Sequence, residues 1–89
     1  MKTIYKYPIK ITDVQTVTLP INAEIISAQM QGDTLCLWAI VNTSNTDTEG
    51  RVIEVVGTGN PMSDGIRRVY IGTTQMQGGS MVWHVFECV

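Results

Sequence analysis

The sequence predicts an all-β fold: about seven short, mostly antiparallel strands in a small sandwich or barrel, with at most one helical turn. Three observations carry this. Apolar and polar residues alternate at period two through most of the chain. Gly, Pro, Asn and Asp punctuate it at spacings of about eight to twelve residues. Nowhere does an apolar 3.6-residue period persist for three turns.

The chain has 89 residues, enough for one domain with a single modest core, so residues 1–89 are taken as one unit. The first strand is expected in Thr3–Ile11, interrupted at Pro8, and therefore at an edge. Val14 to Leu19 follows the Thr12-Asp13 turn, with Val17 and Leu19 on one face and Thr16 and Thr18 on the other. Glu24 to Gln31 should point Ile26, Ala28 and Met30 inward. Gly32-Asp33 then makes a two-residue hairpin loop into Leu35–Val41, which is apolar on both faces and so central in its sheet.

Asn42 to Gly50 contains no apolar residue and is expected as an exposed loop. Arg51 to Val56 is the fifth strand, Ile53 and Val55 opposing Val52, Glu54 and Val56. It runs into Gly57-Thr58-Gly59-Asn60-Pro61. Ser63-Asp64-Gly65 is where a helical turn could start. Val69 to Gln75 is the sixth strand, Gly78-Gly79 a hairpin turn, and Ser80 to Val89 the seventh. That last run is a long, largely apolar stretch. It sets Met81, Trp83, Val85 and Glu87 against Val82, His84, Phe86 and Cys88, and is expected to be packed on both faces.

The composition is 44% hydrophobic and only 16% charged, with a net charge of −2. Soluble domains average about 25% charged residues. So few charges on a small domain imply much neutral polar surface, an apolar face buried against another copy, or both; a homo-oligomer, dimer or tetramer, is expected. The acidic balance argues against duplex nucleic acid, which calls for a basic stripe. It leaves room for a small anionic ligand. No run is long enough for a membrane span, and the start lacks the apolar core of a signal peptide, so a cytosolic protein that does not contact membrane is expected. In that compartment Cys36 and Cys88 should be reduced core residues rather than a disulfide. Two cysteines and one histidine without close spacing make no recognisable metal site, and no cofactor is expected.

Several residues could serve a site. Backbone amides at Gly57, Thr58 and Gly59 could line up on a phosphate, or the glycines could simply permit positive φ at a tight strand exit. Arg51, Arg67 and Arg68 are half of the six cations, and their planar forks suit phosphate. His84 is the only histidine. It lacks a nucleophile motif, which favours a structural or ligand-binding role over catalysis. Tyr5, Tyr7, Trp38, Tyr70 and Trp83 offer stacking surfaces, the tyrosines more than the core-seeking tryptophans. The carboxylates are scattered, so no enzyme is expected.

Four segments in order carry a resemblance: Thr3-Ile4-Tyr5-Lys6-Tyr7, Leu37-Trp38-Ala39, Gly57-Thr58-Gly59-Asn60-Pro61 and Val82-Trp83-His84-Val85-Phe86-Glu87. Together they resemble a large family of small β proteins encoded by bacteriophages and prophages. More loosely, that family resembles the viral sponge proteins that counter bacterial cyclic-oligonucleotide immunity (anti-CBASS proteins) by sequestering the signal without chemistry. The resemblance implies an oligomer with pockets near subunit boundaries and a ligand such as a cyclic dinucleotide. Arg67, Arg51, Thr58 and the Gly57 and Gly59 backbone would hold phosphate; Tyr5, Tyr7 or Trp83 would pack on the bases, and His84 is a further ligand-binding candidate. The alternative class is a structural or protein-binding adaptor of phage origin acting through an apolar sheet face or edge.

Overall fold

A computed structural model describes residues 1–89. Seven strands run in chain order: β1 (Lys2–Pro8), β2 (Val14–Pro20), β3 (Glu24–Gln31), β4 (Thr34–Asn42), β5 (Thr48–Gly57), β6 (Arg68–Met76) and β7 (Met81–Cys88). They form two antiparallel sheets, a three-stranded one in the order β1-β4-β3 and a four-stranded one in the order β2-β5-β7-β6. The all-β expectation holds, and the two sheets make it a sandwich.

The core forms where the inward faces meet. Leu35 and Leu37 of β4 pack with Ile53 and Val55 of β5, Val85 of β7, Ile9 and Ala28, while Ala39 and Val41 of β4 form a second cluster with Leu19 and Ala23. The two-residue period placed most of these residues correctly. β4 is central in its sheet, as its apolar character on both faces predicts, and β7 is central in the other.

β3 and β6 close one side of the sandwich. The β6 backbone approaches so nearly that a Cβ on Gly72 would stand 3.0 Å from the Ala28 carbonyl oxygen. Met30 N donates to Thr74 Oγ1 at 3.2 Å across the same junction. Both strands bulge there, β3 between Ile25 and Ser27 and β6 between Tyr70 and Gly72. Such bulges bend and twist strands.

Five expectations are corrected. Ile26 is 43% exposed, not inward, because the β3 bulge adds a residue and gives the inward place to Ile25. The 42–50 segment is not all loop: Thr48, Glu49 and Gly50 pair with Pro20, Leu19 and Thr18, extending β5 by a ladder no apolar pattern announces. The single 3₁₀ turn lies at Gln77–Gly79, not at Ser63–Gly65. Ser80 belongs to that connection, so β7 starts at Met81. β7 is packed on its inward face alone, since the second sheet covers only that side; Val85 is its one fully buried residue.

Candidate functional site

The outward face of the four-stranded sheet gathers polar and aromatic side chains where β5 ends and the middles of β6 and β7 run side by side. Register puts Val56 opposite His84 and His84 opposite Thr73. Cross-strand partners share a face. Tyr70 and Phe86 form the next row toward the far end of the same face.

His84 is bonded through both ring nitrogens. Its Nε2 stands 2.7 Å from Thr58 Oγ1 and its Nδ1 3.1 Å from Thr73 Oγ1. Tyr70 OH continues the row, 2.6 Å from Thr73 Oγ1. A neutral imidazole donates at one nitrogen and accepts at the other, and each hydroxyl does either, so the row can reverse its polarity without moving a heavy atom. Tyr70 is 59% exposed, its ring edge-on to Phe86 at 5.7 Å between centroids. The result is an open strip with an aromatic platform beside four linked hydrogen-bonding groups. The third member after Thr58 and His84 is a hydroxyl, not the carboxylate that holds a catalytic imidazole in a triad.

The Gly57–Gly59 segment is a tight turn. Asn60 N donates to Gly57 O at 3.0 Å, and Gly59 at the third position has φ +88°. That is the conformation a type II turn reserves for glycine. Thr58 N donates to Val82 O at 3.3 Å. The Thr58 amide, one of the three a phosphate would need, is therefore spent within the chain, while the Thr58 hydroxyl is turned to His84. A Cβ on Gly57 would stand 2.9 Å from Asn60 Nδ2 and 3.1 Å from Trp83 Cζ3, so the indole packs directly on this backbone.

The three arginines separate. Arg51 points inward from β5 and holds Glu87 through two nitrogens, Nη2 to Oε1 at 2.9 Å, while Nη1 donates to Ala23 O at 2.8 Å. Glu49 Oε2 lies 3.7 Å from Arg51 Nη1. The bond to Glu87 holds the guanidinium pKa above its ordinary value against the opposing effect of burial. Arg68 pairs with Glu54, a carboxylate only 8% exposed, and donates to Ser63 O at 3.0 Å, tying the 58–67 segment over β5. Arg67 is exposed and makes no ion pair. Its carbonyl accepts from Val89 N, whereas Thr58 meets Val82. Six to seven strand residues separate those points, roughly 20 Å.

Tyr5 and Tyr7 lie on β1 in the other sheet. Tyr7 packs against both core clusters, and burial, helped by neighbouring Tyr5, raises its phenol pKa. Trp83 faces inward, opposite to His84, and its Nε1 is a buried donor without a partner. Of the residues singled out in the sequence, the structure thus joins Gly57, Thr58, Gly59, Trp83 and His84, and places Tyr5, Tyr7, Arg51 and Arg67 elsewhere.

Sequence reasoning missed Thr73 and the commitment of Arg68 to Glu54. Thr73 had a signal: a hairpin turning at Gly78-Gly79 puts Thr73 beside His84, and the β6 bulge comes only after that pair, setting Tyr70 opposite Phe86. Cys36 is buried and Cys88 half-buried, both as free thiols. Burial, with nearby Glu54, raises the Cys88 pKa against the opposing pull of Arg68. No helix is long and apolar enough to cross a membrane.

A family model described as a domain of unknown function, DUF7352, matches residues 1–89. No curated protein and no solved structure matches the chain.

Proposed function

We propose, for a chain that belongs to the DUF7352 family over its whole length, a non-catalytic binding role in which the outward face of the four-stranded sheet holds a small ring-bearing polar ligand. The observation that carries it is the open Tyr70–Thr73–His84–Thr58 row beside the exposed Tyr70 ring, which packs edge-on to the half-buried Phe86. An aromatic platform accepts the face of a nucleobase, and hydroxyl and imidazole groups bond its edge or a phosphate oxygen. A cyclic dinucleotide has this chemistry, and sequestering one as a phage anti-defence protein is the setting the reading fits. Arg67, three residues before Tyr70, is the nearest cation in sequence to the platform that has no ion-pair partner, since Arg68 is held by Glu54.

Calorimetry with a panel of cyclic di- and trinucleotides is the test. Binding that Tyr70→Ala and His84→Ala each weaken about tenfold, with the ligand recovered unchanged, supports the reading; a tenfold loss corresponds to roughly one well-made hydrogen bond or stacked ring. No heat at protein concentrations near 100 μM, a weak-affinity regime, defeats it.

The adaptor reading rests on a different surface, the apolar outward face of the three-stranded sheet. It predicts that His84→Ala and Tyr70→Ala leave function intact.

A further inference from the structure

The outward face of the three-stranded sheet is apolar along its middle. Register places Ile4, Ile40 and Glu24 in one row, Lys6, Trp38 and Ser27 in the next, and Pro8, Cys36 and Gln29 in a third. Ile4 is 54% exposed, and the bulge turns Ile26 out beside Trp38, where these side chains line a shallow groove of about 440 Å³. Lys6 Nζ donates to Gln31 Oε1 across one end of it, and Ile4 and Ile26 stay exposed at the other. The flanks carry opposite charge: β1 brings Lys2 and Lys6 to this face, and β3 brings Glu24. Neither Lys2 nor Glu24 has an ion-pair partner in its own chain.

We propose that this face is the contact between two copies of the chain, packed sheet on sheet about a two-fold axis that runs along β4. Face-to-face packing of aligned sheets is a standard way to bury such a surface, and a two-fold contact must be self-complementary. With the axis along β4, the β1 of one copy lies over the β3 of the other. Lys2 and Lys6 then face Glu24, and symmetry makes the pairing twice. With the axis across the strands, β1 would lie over β1 and lysine would meet lysine, which opposes association. The charge pattern therefore selects the first arrangement, while Trp38, Ile40, Ile4 and Ile26 supply the apolar centre.

Three strands about 4.8 Å apart and eight residues long present a face of roughly 350 Å². That is small beside the roughly 800 Å² per partner of a standard interface, so the dimer is concentration-dependent. It leaves the Tyr70–His84 strip on the opposite side of each copy free, so the two proposals stand or fall separately.

Sedimentation velocity of the full chain, from about 5 to 200 μM, a range that spans weak association, is the test, with circular dichroism verifying the fold of every variant. The expected result is a monomer–dimer equilibrium. Glu24→Lys weakens it at least about tenfold, the scale of a lost charge pair, and Glu24→Lys with Lys2→Glu restores it. Ile4→Glu, at a side chain already exposed, also dissociates the dimer. A monomer throughout the range overturns the proposal. So does a dimer indifferent to Ile4→Glu and Glu24→Lys, or a charge swap that fails to restore association.

Discussion

Arg51 on β5 and Glu87 on β7 form a two-bonded ion pair on the inward face of the four-stranded sheet, with Arg51 also donating to the Ala23 carbonyl. Their side chains are 18% and 13% exposed, so the pair is largely out of water and joins β5, β7 and the β2–β3 connection. Arg51 is thereby a structural residue. Glu87→Gln keeps the shape but leaves the half-buried guanidinium only the more distant Glu49, at 3.7 Å, as counter-charge. The expected loss is about 2 kcal/mol, a fall in Tm of roughly 10 °C for a domain of this size. Arg51→Lys, which loses the fork, should fall similarly. Thermal melting decides, and wild-type Tm in both variants would show the clamp to be idle.

Gly72→Ala should separate the sandwich at its closed side. The new methyl would press on the Ala28 backbone, which cannot turn away as a side chain could. A loss of about 1–3 kcal/mol is expected, read as a lower urea midpoint with an unchanged m-value.

Thr58→Val and Thr73→Val test whether the His84 row serves binding. Both hydroxyls are exposed, so each change should shift stability by no more than about 0.5 kcal/mol. Each should weaken nucleotide binding about tenfold, the cost of one good hydrogen bond. Equal losses of stability and binding would make the row structural.

Alkaline pH should destabilise the fold through Tyr7 and Cys88. Burial raises both pKa values from ordinary values of 10.0 and 9.0, so the folded state prefers the neutral forms. Their contribution is fully present below those ordinary values and is lost as pH rises through the higher folded ones. Equilibrium unfolding between about pH 8 and 11 should show that decline, and Tyr7→Phe with Cys88→Ser should flatten it. Alkylation of Cys88 near pH 8 should likewise run slower than that of a cysteine peptide, because the thiolate is the reactive form.

Most of the fold was legible because the two-residue period is a local property. Val17 and Leu19, Ile53 and Val55, and Trp83 and Val85 each lie on the face that alternation assigns. The failures lie where no local pattern exists. Ile26 faces outward because one extra residue in β3 shifts the phase, and nothing in Glu24–Gln31 marks which residue is extra. Thr48–Gly50 joins β5 because β2 offers a ladder, a contact made with residues 28 or more positions away.

The candidate site divides in the same way. The sequence by itself determined that the domain is all β, that β4 and β7 are central, and that Trp83 and His84 point to opposite faces, since each follows from apolar content and the pleat of a single strand. Only the tertiary structure decided which groups those faces meet. It gave Arg51 to Glu87 and Arg68 to Glu54, left Arg67 unpaired, and set Thr58 and Thr73 on the two nitrogens of His84. The reason is physical. Alternation says which side of a sheet a residue takes, but ion pairs and hydrogen bonds depend on the register between strands, and here that register is set by bulges and turns whose effect appears only when the two sheets pack.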